Sequence, residues 1–344
     1  MEINKEVIKQ VKITPLLDTL KLEDINDSEY FSERYKNYIS NSRLGRLVKE
    51  GAEAFFNNPP QEYNPSFETG SLIHCMTLEP DKYEVIDGIF KPSAKAGLMS
   101  DKLYKVDGST PSDDEIKAAS YIVGYYKDKL SSNILLSFRQ KAEPYWRDRF
   151  LYEQNHPTGD KKRIYTDIKN YELLCNCLDS LNNNEEIQKL LHPEGLIEEP
   201  IIGNERTILM DIQMELPEHE TKIYRLKAKL DNFSIDKEDG VITVNDLKTT
   251  SKPASIFNPA YYSYQREIAG YSWLLGHCAK KFFDLEKFQT KGNFLVVSTV
   301  PEYNSCVYPM TNKLFTSGWK EYVFLLKTVY YLNVIKGYKF PNEV

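Results

Sequence analysis

From Tyr224 to Asp231 the side chains alternate without a break, with Tyr224, Leu226, Ala228 and Leu230 set against Arg225, Lys227, Lys229 and Asp231. A period of two sorts side chains onto opposite faces of a strand, so one face of this segment is apolar and its other face is charged. After it, Lys237-Glu238-Asp239-Gly240 is a turn cluster and Val241-Ile242-Thr243-Val244 is β-branched. The stretch 221–248 therefore predicts a hairpin with a longish connection. That hairpin brings Asp231 close to Asp246, and Lys248, two residues beyond Asp246, shares its face. Two carboxylates held so close repel one another unless a cation lies between them, and hard oxygen ligands suit Mg²⁺ or Mn²⁺. A metal-binding acid pair with a lysine at i+2 is an arrangement for cutting phosphodiesters.

The same hairpin, with Asp231 and Asp246-Leu247-Lys248-Thr249-Thr250, resembles the core of the PD-(D/E)XK nucleases, in the branch that holds RecB-type nuclease domains, lambda exonuclease and exonuclease VIII. Upstream, Tyr38-Ile39-Ser40-Asn41-Ser42-Arg43-Leu44, then Gly70-Ser71-Leu72-Ile73-His74 and Leu78-Glu79-Pro80, resemble the entry helices of exonuclease VIII-like phage proteins. The likeness runs over roughly 35–96 and 160–310 and skips 97–159. It implies a restriction-endonuclease-like α/β core, a mixed central β-sheet flanked by helices, with helical N-terminal and inserted elements. It makes His74 and the carbonyl of Leu247 metal ligands beside Asp231 and Asp246. Relatives also carry a glutamate near the start of the preceding strand, for which Glu199 is the second-tier candidate.

The family's helix after the lysine carries Gln-x-x-x-Tyr, and here the chain departs from it. Before Tyr271 stand Gln265, six residues away, and Glu267, four residues away. At 100° per residue Glu267 lies at the edge of the face shared by Tyr264, Ile268, Tyr271 and Leu275, whereas Gln265 points away by about 100°. Glu267 therefore takes the glutamine position. An ionised glutamate only accepts hydrogen bonds, so its contact to DNA or metal is left open.

The chain has 344 residues, a net charge of −6 and five cysteines. The charge argues against a general polyanion binder but leaves room for a local basic groove, for which Lys161, Lys162, Arg163, Arg225, Lys227 and Lys229 are the candidate cations. An odd cysteine count without a Cys-x-x-Cys step speaks against a disulfide framework and against an iron–sulfur cluster. The sequence shows no signal peptide and no apolar run of membrane length, so the cytoplasm is the expected compartment. We read one domain over 1–344: residues 1–30 as a strand or an N-terminal arm, helices over 28–58, 112–141 and 167–191, and 97–159 as a helical insertion. The catalytic core spans 195–310, with strands over 200–215, 293–298 and 306–308, and a closing helix over 313–336.

By resemblance, the expected activity is Mg²⁺-dependent 5′ to 3′ degradation of one strand from linear duplex ends. A single-strand annealing protein is the expected partner, and self-association is expected as in the family's rings. Two alternatives stand beside it: an endonuclease with the same metal site, and a nucleic-acid-binding protein on a decayed nuclease core.

Overall fold

The computed structural model describes residues 4–59, 65–125, 131–157 and 159–341, and of residues 65–67 the backbone only. The chain forms two compact units, one from Met1–Glu62 with Ser180–Val344, the other from Tyr63–Asp179. The segment 97–159 lies within the second of these units.

In the first unit α1 (Lys5–Gln10) leads to β1 (Lys12–Glu23), followed by α2 (Asp27–Tyr30), a 3₁₀ turn at Glu33–Tyr35, α3 (Asn41–Lys49) and α4 (Ala52–Asn57). The side chain of Ser40 caps α3 by accepting from the Arg43 N–H. The second unit holds α5 (Pro65–Leu78), β2 (Tyr83–Val85), α6 (Ala94–Leu103), α7 (Asp113–Val123), α8 (Ser132–Asn155) and β3 (Lys162–Ile164). Its core gathers Met99, Ile116, Phe138, Ala142 and Tyr145, and β2 pairs with β3 in parallel. Ser112 and Glu115 form a reciprocal capping box at the start of α7. The single helix read over 112–141 is two, α7 and α8, because Gly124 closes the first in a left-handed conformation.

α9 (Ile168–Asn182) is followed in the first unit by α10 (Glu185–Leu191), β4 (Ile201–Glu215), β5 (Lys222–Asp236) and β6 (Val241–Thr250). Then come α11 (Tyr264–Phe283), β7 (Gln289–Ser298), β8 (Ser305–Pro309), α12 (Asn312–Tyr330) and a π turn at Tyr331–Ile335. The helix read over 167–191 also divides, because the Asn184 side chain accepts from the N–H groups of Glu186 and Ile187 and starts a new helix there.

The six strands lie in the order β1-β4-β5-β6-β7-β8. Only β6 and β7 run parallel, and α11 is their crossover, as a parallel connection requires. The fold is therefore mixed α/β, with a mostly antiparallel sheet flanked by helices. Of the two readings of the N-terminus the strand is the one that forms, since β1 is an edge strand antiparallel to β4. One face of the sheet is the apolar one that alternation implied: Ile208, Met210, Ile212, Leu226 and Leu230 are at most 1% exposed and belong to a core shared with residues of α11 and α12. Among the described residues no helix is long and apolar enough to cross a membrane.

Candidate metal-dependent hydrolytic site

The site grows from strand register. Asn232 faces Asn245 across β5 and β6, and Asn204 faces Asn232 across β4 and β5, so the next row holds Glu205, Asp231 and Asp246 on three adjacent strands. Beyond this point the Asp231 side chain replaces part of the ladder: its Oδ2 accepts the Leu247 N–H at 2.8 Å. A carboxylate oxygen of Glu205 lies within 4.8 Å of one of Asp231. Three carboxylates in one row, one of them 1% exposed, make an oxygen-rich place for a hard cation.

Lysines close the row at both ends. Lys248 Nζ is 2.6 Å from Asp246 Oδ2 and 3.3 Å from Glu267 Oε2. Lys248 and Asp246 form a close ion pair in which the carboxylate is all but buried. On the other side Lys229 Nζ is 3.0 Å from Glu205 Oε2 and 2.5 Å from Asp27 Oδ1. α11 supplies the outer support, since the Tyr271 hydroxyl donates to Glu267 Oε1 at 2.8 Å.

The charges push one another in readable directions. Burial raises the Asp246 carboxyl well above the usual carboxylate range; Lys248 opposes this, and Glu267 and Asp231 add to it. For Lys248 burial favours the neutral amine, but Asp246, Glu267 and Asp231 outweigh it and hold the group an ammonium. Glu267 is half-buried, which alone would raise its carboxyl, yet Lys248 with hydrogen bonds from Tyr271 and Asn41 keeps it below its ordinary value. The row sets three carboxylates, with Glu267 beside them, against the two lysines Lys229 and Lys248, and so could take up a further cation.

The remaining sequence candidates fall as follows. Leu247 is fully buried on β6. His74 stands on α5 of the second unit. Gln265, 6% exposed, lies away from this row, where its carbonyl backs onto Gly318 of α12 so closely that a Cβ there would meet it at 2.2 Å. Glu199 is exposed just before β4, six positions short of Glu205, or about 20 Å of strand. Glu205, which the sequence reading passed over, occupies the place proposed for Glu199.

The row of cations on β5 is not the groove expected of it. Only Arg225 is exposed. Lys227 is 9% exposed and donates to the Tyr30 carbonyl at 2.7 Å; burial, with Arg43 nearby, pulls its pKa down to about 8. Lys229 is bound into the carboxylate row. In the second unit Arg163 gives its guanidinium to Glu84 at 2.9 Å and to the Pro157 carbonyl at 3.0 Å. Lys161 donates to the Pro80 carbonyl at 2.8 Å, and Lys162 is exposed. Arg225, Lys161 and Lys162 are thus the three of these six that keep an exposed charge with no ion pair among the described residues.

No family model matches this chain, and no curated protein does either. Among solved structures, a candidate exonuclease from Eubacterium rectale aligns over 90% of this chain and 86% of its own, at 11% identity and a TM-score of 0.38. The crystal structure of SSO0001 aligns over 56% of this chain and 70% of its own, at 15% identity and a TM-score of 0.26.

Proposed function

We propose that this protein is a divalent-metal-dependent nuclease, and specifically an exodeoxyribonuclease acting on the ends of linear duplex DNA. The observation that carries the reading is the row Glu205, Asp231 and Asp246 with Lys248 two residues beyond the last of them. The three carboxylates would hold Mg²⁺ or Mn²⁺, with the Leu247 carbonyl and, as the family resemblance implies, His74. Such a cation, when bound, polarises a phosphoryl oxygen and makes a coordinated water acidic.

The chain's own groups then have separable duties. Lys248 is a fixed ammonium, suited to steady charge developing on the phosphoryl oxygens. Glu267 and Tyr271 hold that ammonium in place from α11, which suits a glutamate better than the family's glutamine where a cation must be oriented. Arg225 and Lys162 are the proposed contacts to the phosphate backbone. The 5′ to 3′ polarity, self-association and an annealing partner belong to the same proposal through the family resemblance.

End-labelled linear duplex and a covalently closed circle, incubated together with Mg²⁺, test it. Wild-type protein should consume the linear duplex from its ends and spare the circle, while Asp246→Ala should leave both intact. Cutting of the circle would replace the exonuclease reading with an endonuclease one. Binding of DNA with no cleavage in Mg²⁺ or Mn²⁺ would leave only the non-catalytic alternative.

A further inference from the structure

A cavity lies on the far side of α11 from the carboxylate row. Glu267 and Tyr271 face the carboxylate row; Ala269, Ser272, Trp273, Gly276, His277 and Lys280 line the cavity. At 100° per residue the centres of these two sets are about 170° apart around the helix. The cavity measures about 300 Å³, the lower end of the range for small-molecule sites. Its walls are aromatic. Trp273 and Trp319 have ring centroids 5.5 Å apart at 48°, and Trp273 meets His277 edge-on at 5.2 Å. Phe288 packs against Gly276 so tightly that a Cβ there would meet its ring at 2.8 Å. Lys280, exposed, holds its ammonium 5.9 Å from the Phe288 centroid.

Two polar atoms in this apolar lining are buried without a hydrogen-bond partner, Ser272 Oγ and His277 Nε2. Ser272 is 4% exposed. A buried polar atom left unpaired is costly, so an aliphatic occupant would be a poor fit. A planar ring with donors and acceptors on its edge would satisfy both atoms while stacking on indole, and a negative group attached to it would meet Lys280 at the mouth. We propose that this cavity binds a nucleoside 5′-monophosphate, with the base among Trp273, Trp319 and Phe288, its edge on Ser272 and His277, and the phosphate beside Lys280. Burial, with the Lys280 charge, pushes the His277 imidazole below its ordinary value, which leaves Nε2 free to serve a neutral base as donor or acceptor. This deepens the nuclease reading, because mononucleotides are what an exonuclease releases. Bound across α11 from Glu267 and Tyr271, the product would act on the helix that steadies Lys248.

Two of the chain's three tryptophans line the cavity, so intrinsic fluorescence reports occupancy. Wild-type protein in EDTA, which keeps the metal site and any cleavage out of the measurement, should show a saturable change with deoxyadenosine 5′-monophosphate. Deoxyribose 5-phosphate should give none. Ser272→Val and Lys280→Ala should each weaken binding by roughly three- to tenfold, the effect of one hydrogen bond or charge contact. Lys280→Ala should leave cleavage of linear DNA unchanged. The proposal fails if no nucleotide produces a saturable change by fluorescence or equilibrium dialysis. It fails equally if both variants bind as wild type, or if N-acetyltryptophanamide binds more tightly than the nucleotide, which would make the cavity a seat for a protein side chain. Because none of these readouts needs DNA cleavage, a failed nuclease assay and a failed binding assay remain distinct results.

Discussion

At Glu205 the backbone takes a φ of +50°, a left-handed conformation that a side-chain-bearing residue adopts only where its surroundings over-determine it. Such a residue in a strand redirects its side chain, and here the redirected carboxylate lies beside Asp231 with Lys229 against it. If Glu205 is a metal ligand, Glu205→Gln should lower Mg²⁺-dependent cleavage at least about a hundredfold, given that even supporting residues at metal sites are worth 10–100-fold. Glu199→Ala should stay near wild type. Equal loss in both would make Glu205 a structural acid paired with Lys229. Lys248→Ala tests a different duty: it should reduce turnover by about 10²–10³-fold with DNA affinity little changed, as for a group that acts on transition-state charge. A variant that loses DNA binding but keeps its turnover at saturating substrate would make Lys248 a phosphate anchor. The sequence made Asp231, Asp246 and Lys248 legible because alternation and a turn are local signals. It left Glu205 obscure because its partner is on another strand. The clue was present, since Thr207 faces Lys229 and Leu209 faces Lys227, and continuing that register by two residues reaches Glu205 and Asp231.

The strands that carry the acids are pinned by a row of amides one position away. Asn232 Nδ2 donates to Asn204 Oδ1 at 2.7 Å, Asn245 Nδ2 to Asn232 Oδ1 at 2.7 Å, and Asn293 Nδ2 to Asn245 Oδ1 at 2.8 Å. This chain of four asparagines crosses β4, β5, β6 and β7 at directly opposed positions. Neighbouring residues on a strand point to opposite faces, so the amides lie on the face away from the carboxylates. A slip of one residue would turn the acids to the wrong side. Asn245→Ala would strand Asn232 Oδ1 and Asn293 Nδ2 in a site that is itself 1% exposed at Asn245. The expected loss is about 2–4 kcal/mol, read as a lower urea midpoint with the slope unchanged, and metal affinity should fall with it. An unchanged midpoint would mean that packing alone sets the register. At this scale the sequence showed where strands would form but not how they were covered. The cations of β5 looked like a groove, yet α2 and the turn after it take Lys227 and Lys229 out of solvent. Only contacts from a segment some 200 residues away in sequence, such as Asp27 to Lys229, decide that.

Across the whole molecule the net charge is −6, and three of the acids are gathered in one partly buried row with Lys229 and Lys248 beside them. Without a cation that row opposes folding of the first unit, because like charges at close range disfavour the ionised state. A ligand that binds only the folded chain stabilises it by about 2.7 kcal/mol at a hundredfold excess over its Kd. For a domain of about 150–250 residues each kcal/mol moves the melting temperature by about 2–4 °C. Saturating Mg²⁺ or Mn²⁺ should therefore raise the melting temperature by several degrees, and EDTA should reverse the change. The shift should vanish in Asp231→Ala and in Asp246→Ala, while both variants melt in metal-free buffer at or above the wild-type temperature, since each removes one of the repelling charges. A rise that survives in both variants would place the cation elsewhere on the acidic surface. The two measurements taken together, loss of the metal response with retained stability, separate a site held ready for a cation from a row of acids that merely tolerates itself.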